Sequence, residues 1–200
     1  MHTYSTDVSR SPKLYFLVAA ASIAAAWILG LLFNWLGFTP PWWLDTPATL
    51  GFFGAFWTLY DQQLWRLHLG KHRLAGIPDL SGQWNGTIES NFAGGTQIPC
   101  TVDIRQTSTK ILLKLDTGTS RSNSMMASIR TDPSLRGVHY EYTSQPKTLS
   151  SRSMHPHKGR AHLDWNDDFS TLEGEYETDH RRGNEGRIRL RRSSTGVTPS

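Results

Sequence analysis

Most of the side chains that could do chemistry sit in the second half of the chain, and few of them form a catalytic pattern. Lys158 and the surrounding serines give no nucleophile–base pair at a defensible spacing. His155-Pro156-His157 with His162 would suggest a metal, but the proline breaks any regular spacing. No cysteine or carboxylate completes a ligand set, so a solvated loop is the better reading. Glu173, Glu175 and Glu177 alternate along one face of a strand-like run. Paired carboxylates can do acid–base work, yet the arginines expected to face them point to a solvated outer surface. Asp167-Asp168 reads as turn chemistry, and Gly94-Gly95, flanked by strands, as a hairpin turn rather than a phosphate loop. The single cysteine, Cys100, lies on an apolar face and is expected to be an inert core residue. The expectation is therefore no enzyme, no metal and no cofactor.

What remains is an aromatic set. Trp84, Tyr140, Tyr142, Trp165 and Tyr176 all fall on the apolar side of alternating runs. Flat rings on a common wall can stack on a base or another planar ligand; the plainer alternative is that they fill a core. Phosphates on such a ligand would need donors, and Arg121 and Asn123, on the same side as Met125, are the candidates at a mouth.

Eight runs would have to position these rings: Gly82–Ser90, Gln97–Gln106, Lys110–Thr117, Arg121–Thr131, Gly137–Ser144, Arg160–Asn166, Thr171–Thr178 and Gly186–Arg192. Each alternates an apolar with a polar side, the period of a half-buried strand. In Arg121–Thr131 the apolar side is Met125, Ala127 and Ile129. Turn signals separate neighbours at Ala93-Gly94-Gly95, Asp116-Thr117-Gly118, Asn166-Asp167-Asp168 and Arg182-Gly183-Asn184. Short connections favour antiparallel neighbours, and eight such strands can close into an up-and-down barrel with room inside for side chains or one small ligand. The opening Gly82-Gln83-Trp84 suits a tight first strand and a tryptophan plug at one end. The charged faces of the last two strands should lie side by side and help to set register.

The first third is of another kind. Leu14 to Leu44 contains no charged residue, and Thr46 to Tyr60 is again free of charge. Leu14–Phe38 and Ala48–Leu64 fit two membrane spans, joined by a proline- and tryptophan-bearing loop from Thr39 to Pro47. Arg10 and Lys13 precede the first span, Arg66, Lys71 and Arg73 follow the second, and the connecting loop has neither lysine nor arginine. Positive residues stay inside, so both termini are expected in the cytoplasm. One cysteine allows no internal disulfide, in keeping with a reducing compartment. Small residues recur at helical spacing, Ser22, Ala26 and Gly30 in one span and Gly51 and Ala55 in the other; such rows let helices of several chains approach closely inside lipid, the plainer alternatives being alanine-rich filler or packing within the hairpin. The expected divisions are an N-terminal cytoplasmic tail (1–13), a two-helix hairpin (14–69), a basic linker (70–78), a barrel (79–192) and a disordered tail (193–200). The net charge of +4 is partly this juxtamembrane cluster, which favours anionic lipid and gives little reason to expect a DNA or RNA polymer as partner.

Together, the spans Leu14–Phe38 and Ala48–Leu64 and the opening Ile77-Pro78-Asp79-Leu80-Ser81-Gly82-Gln83-Trp84-Asn85-Gly86 resemble the membrane-anchored β-barrel effectors of bacterial CBASS antiphage systems. In these, a CD-NTase makes a cyclic oligonucleotide on infection, the barrel binds it, the effector forms a homo-oligomer and the spans disrupt the inner membrane. The resemblance implies a cyclic dinucleotide as ligand and the lipid bilayer as target. A membrane-tethered, lipocalin-like carrier of a lipid or small apolar ligand would share the barrel and the Gly-x-Trp opening. A barrel packed solid as an interaction module is the third possibility.

Overall fold

The computed structural model describes residues 1–8, 12–38, 41, 45–69, 72–73, 75–91, 95–147, 155–179 and 183–193. Arg10, Trp42 and Trp43 of the inter-helix loop, Gly70 and Lys71 of the linker, the turn residues Ala93, Gly94 and Arg182, and the tail from Ser194 lie outside them. Two compact units result. Ser9–Gly76 is helical, whereas Met1–Val8 and Ile77–Ser200 together make a β unit.

In the helical unit, α1 spans Pro12–Trp35 and α2 spans Asp45–Gln62. Proline suits the first turn of α1, where its missing N–H is not needed. The helix stops at Gly37, whose φ of 75° lets its N–H reach Asn34 O at 3.0 Å while Phe38 N–H reaches Phe33 O at 2.9 Å. That pair of bonds is the glycine-terminated Schellman ending. Val18 and Ser22 are buried, and Tyr15 stacks on Trp57 of α2 at 5.0 Å between centroids. Phe16, Leu17, Trp27 and Trp35 stay exposed, Trp35 at 81%. Among the described residues, α1 is the helix long and apolar enough to cross a membrane. At 18 residues α2 is shorter. A short 3-10 turn, Leu64–Arg66, and a two-stranded ribbon, β2 (His68–Leu69) with β3 (His72–Arg73), follow.

The β unit is a closed barrel of nine strands, one more than the alternation predicts. Eight are the expected ones, at nearly the expected bounds: β4 (Gly82–Ser90), β5 (Thr96–Gln106), β6 (Lys110–Thr117), β7 (Ser120–Arg130), β8 (Gly137–Pro146), β9 (His157–Trp165), β10 (Thr171–Thr178) and β11 (Glu185–Arg192). The ninth is β1, His2–Thr6, from the segment expected to be a polar tail. It pairs antiparallel with β6 and parallel with β7, so the barrel is not purely up-and-down. With Tyr4 as its one buried side chain, β1 carries almost no apolar alternation to reveal it.

Strands β10 and β11 pair as the charges require, with Glu173 opposite Arg189 and Glu175 opposite Arg187. A register shift in β7 between Ser124 and Met126 marks a bulge. The extra residue reverses the in–out parity of the strand, so Ser122 and Ser124 point inward before the bulge and Ile129 after it, while Met125 is exposed. The inward side expected of β7 thus holds at Ile129 and fails at Met125.

Candidate ligand-binding site

The barrel interior is polarised along its axis. Antiparallel order brings the ends of β4, β6, β8 and β10 to the same rim as the starts of β5, β7, β9 and β11. Inward positions at that rim are polar: Ser90, Thr96, Thr117, Ser120, Ser122, Ser144, His157, Thr178 and Asn184. Inward positions at the opposite end are apolar: Trp84, Ile104, Ile111, Ile129, Val138, Leu163, Leu172 and Leu190, each 2% exposed or less.

The apolar end is sealed. Gly82, at φ 123°, turns the chain into β4 in a conformation that glycine alone adopts readily. Trp84 is fully buried, donates its indole N–H to Leu80 O at 3.0 Å, and lies beneath the Arg192 guanidinium at 4.7 Å. The strap before β4 is fastened by the buried Gln106 amide, which donates to Pro78 O at 3.0 Å and accepts from Leu80 N–H at 2.9 Å. Ile77 and Leu80 fill the space beneath it. Both connections to residues 9–76 leave from this end, since β1 runs parallel to β7 and β4 begins here.

At the other end the strands enclose a cavity of about 360 Å³ that opens through the polar rim, within the usual range for small-molecule sites. Tyr140, Tyr142 and Tyr176 line it together with Ile88, Ile98, Leu113, Leu115 and Ile188. Small cross-strand partners give the rings their room. Tyr142 lies opposite Gly159, where an added Cβ would come within 2.4 Å of its hydroxyl oxygen. Tyr176 lies opposite Gly186, where one would come within 2.7 Å of its ring. Tyr140 faces Ala161 and Ala127. Burial, and then the neighbouring Tyr142, push the Tyr140 phenol well above its ordinary value, so it stays neutral and able to donate. Burial also pushes the Cys100 thiol up to about 11, which suits an unreactive core residue.

Of the residues expected in a site, the three tyrosines are brought together at the open end. Trp84 and Trp165 belong to the closed end, where Trp165 stacks on Phe169 at 6.0 Å. Arg121 and Asn123 stand on the outer face; neither lines the cavity. Arg121 is near the rim but pairs with Asp116 at 3.3 Å. Asp116 also pairs with Lys147, whose Nζ donates to Thr117 O at 2.8 Å. Lys147 is thus a cation beside the mouth that sequence reasoning passed over, as it passed over the rim hydroxyls; His157, expected in a solvated loop, instead begins β9 and lines the cavity. The hydroxyls were legible in principle, because each occupies an inward-parity position at the same end of its strand.

A second, shallower depression of about 820 Å³ lies on the outer wall, with His139, Glu141, Arg160, Glu175 and Arg187 among its lining residues. Its charges largely answer one another, Arg160 with Glu177 and Arg187 with Glu175, so it offers a ligand little unpaired charge. His139 and His162 stack there at 4.0 Å. Burial, then the adjacent His162, lower the His139 pKa. Among the described residues no three of His, Cys, Asp and Glu converge to hold a metal.

A closed β-cylinder with one plugged end and one open, aromatic-walled end defines the class as a small-ligand receptor domain. Residues 75–192 match the sequence model of the family described as "Cap15, cyclic dinucleotide receptor domain", and the chain belongs to that family. It is also 30% identical over 131 residues to CD-NTase-associated protein 15 of Yersinia aleksiciae, a match covering 63% of this chain and 60% of that protein. The resemblance to CBASS effectors thus rests on the family as well as on the architecture.

Proposed function

We propose that this chain is a CBASS effector whose barrel takes a cyclic dinucleotide through its polar rim. The observation that carries the reading is the interior itself: three tyrosines and an apolar wall under a ring of hydroxyls, in a cyclic dinucleotide receptor family. Bases have flat faces that stack on such rings. Phosphates need donors, and the hydroxyls of Ser120, Ser122 and Ser144 and the His157 ring line the end through which the ligand's polar backbone would emerge.

The helical unit is then the membrane part, a hairpin of two spans over residues 14–69 in the bacterial inner membrane. A topological argument supports an even number of crossings. Residues before and after the helices belong to the same barrel, so the chain leaves and returns on one side of any membrane it enters. The exposed apolar surface of α1 suits lipid, and exposed Gly51 and Ala55 on α2 leave room for a neighbouring helix. Ligand binding favours one assembly state through its differential affinity, hairpins of several copies associate, and the bilayer is breached. The charge distribution supports a cytoplasmic side for both termini, where a nucleotide signal would be met.

Isothermal titration of the full chain in detergent against a panel of cyclic dinucleotides tests the sensor role. Heat with at least one of them, with weaker affinity in Tyr142→Ala, is expected; no heat with any overturns it. The apolar wall would also suit the carrier alternative, and displacement of a fluorescent fatty acid from the same cavity would favour that reading.

A further inference from the structure

Strands β6 and β7 pair directly at three positions, Lys114 with Asn123, Leu115 with Ser122 and Asp116 with Arg121, all toward the mouth. Below these the two strands part, and β1 fills the gap. It pairs at His2 and Thr3 with β6 and at Tyr4, Ser5 and Thr6 with β7. One side chain sits at the fork. The Ser124 hydroxyl accepts the Leu113 N–H at 2.9 Å, in place of the missing ladder partner, and lies 2.7 Å from His2 Nε2. Leu113 and Ser122, on either side of the fork, line the cavity. At the far end of β1 the Asp7 carboxylate accepts from Thr131 N–H at 2.8 Å, Asp132 N–H at 2.9 Å and the Thr131 hydroxyl at 3.1 Å, tying the strand to the end of β7. A few residues later α1 begins at Pro12.

The two tethers of the helical unit therefore differ in kind. The tether after α2 runs into the closed end, where Ile77, Leu80 and Trp84 are buried and Gln106 clamps the strap. The tether before α1 is a five-residue strand with one buried side chain, held along a seam that borders the cavity. Short strands with little apolar burial are the elements that open without the rest of the fold.

We propose that β1 is a detachable tether through which the barrel controls the first helix, with Ser124 and His2 reporting on the cavity and Asp7 latching the far end. The role of the ligand in this rests on the function proposed above; the detachment of the strand does not. Displacing the fork at Leu113 and Ser122 weakens the hold on β1 and releases the segment that leads into α1.

Hydrogen–deuterium exchange on the full chain in detergent tests the strand itself. Amides of residues 2–6 are expected to exchange at least about tenfold faster than those of β4, β5 and β10, and Asp7→Ala to raise that rate about tenfold further without moving the other strands. Equal protection of β1 and the core strands, or uniform acceleration in Asp7→Ala, overturns the proposal. The control step is tested with Ser5→Cys/Ser128→Cys, which places cysteines at paired positions; the native Cys100 is buried and protonated and should not interfere. In dye-loaded vesicles of anionic phospholipid, the oxidised variant is expected to bind cyclic dinucleotide as the reduced one does and to release at least tenfold less dye. Equal release in both states overturns the control step. Absence of binding in both states and in the unmodified chain counts against the ligand reading alone, and exchange then still decides on the strand.

Discussion

The two ends of the barrel are built from the same strands and do opposite things. At the closed end, inward positions are large and apolar, and Trp84 and its strap complete the seal. At the open end, the same strands present serine, threonine and asparagine, and the large residues are tyrosines laid against glycine and alanine. Burial of apolar surface supplies stability at one end, and its deliberate incompleteness leaves a site at the other. The comparison teaches that in a small barrel the division between core and site is made along the strand, by what occupies successive inward positions.

The sharpest way to break the comparison is Trp84→Ala. Removing a fully buried tryptophan at the sealed end should lower stability by about 3–5 kcal/mol, read from denaturant unfolding of the full chain. A loss below about 1 kcal/mol would mean that the closed end is not the stabilising one. At the open end the expected order is reversed, with binding hurt more than stability. Tyr142→Ala should weaken cyclic dinucleotide binding by about 1–3 kcal/mol, the worth of one stacked base, in calorimetry. Gly159→Ala should hurt both, because the new Cβ would come within 2.4 Å of the Glu177 carbonyl oxygen on β10 as well as of the Tyr142 hydroxyl, so strand and ring must shift; overpacking of this sort costs about 1–3 kcal/mol of stability, and affinity should fall with it. Ser144→Ala removes one hydroxyl that lines the cavity, and should cost roughly 0.5–1.5 kcal/mol of affinity with little change in the melting temperature.

The smallest effect concerns pH. The Lys147 hydrogen bond, with Arg121 adding to it and partial burial opposing, holds the Asp116 carboxyl below its usual range. A depressed carboxylate stabilises the fold above its unfolded value near 3.8, and that contribution disappears as pH falls through the lower folded value. For a pair this exposed the loss should be at most about 1 kcal/mol. Melts between pH 7 and pH 2 should show it below about pH 4, and Asp116→Asn should flatten that part of the profile.

Much of the barrel was legible before any coordinates. Alternation marks β4 to β11 because one side of each strand faces a core and the other water, and the opposed charges of β10 and β11 anticipate their register. Three of the five proposed aromatic residues stand in the cavity for the same reason. Arg121 and Asn123 were misplaced because their side was inferred from Met125, and the bulge between Ser124 and Met126 changes parity within the strand. A bulge leaves no mark in residue type; it is a property of how one strand meets its neighbour.

What the sequence determined alone is therefore local and periodic. It set where eight of the strands and the two helices run, which face of most is apolar, and that Leu14–Leu44 and Thr46–Tyr60 carry no charge while the second half alternates. Only the tertiary structure decided which end of the cylinder is open, and that His2–Thr6 completes the wall across some seventy intervening residues. The physical reason is that a strand such as β1, with one inward aromatic and no apolar period of its own, is defined by the gap it fills, and that gap exists only once β6 and β7 have parted around it.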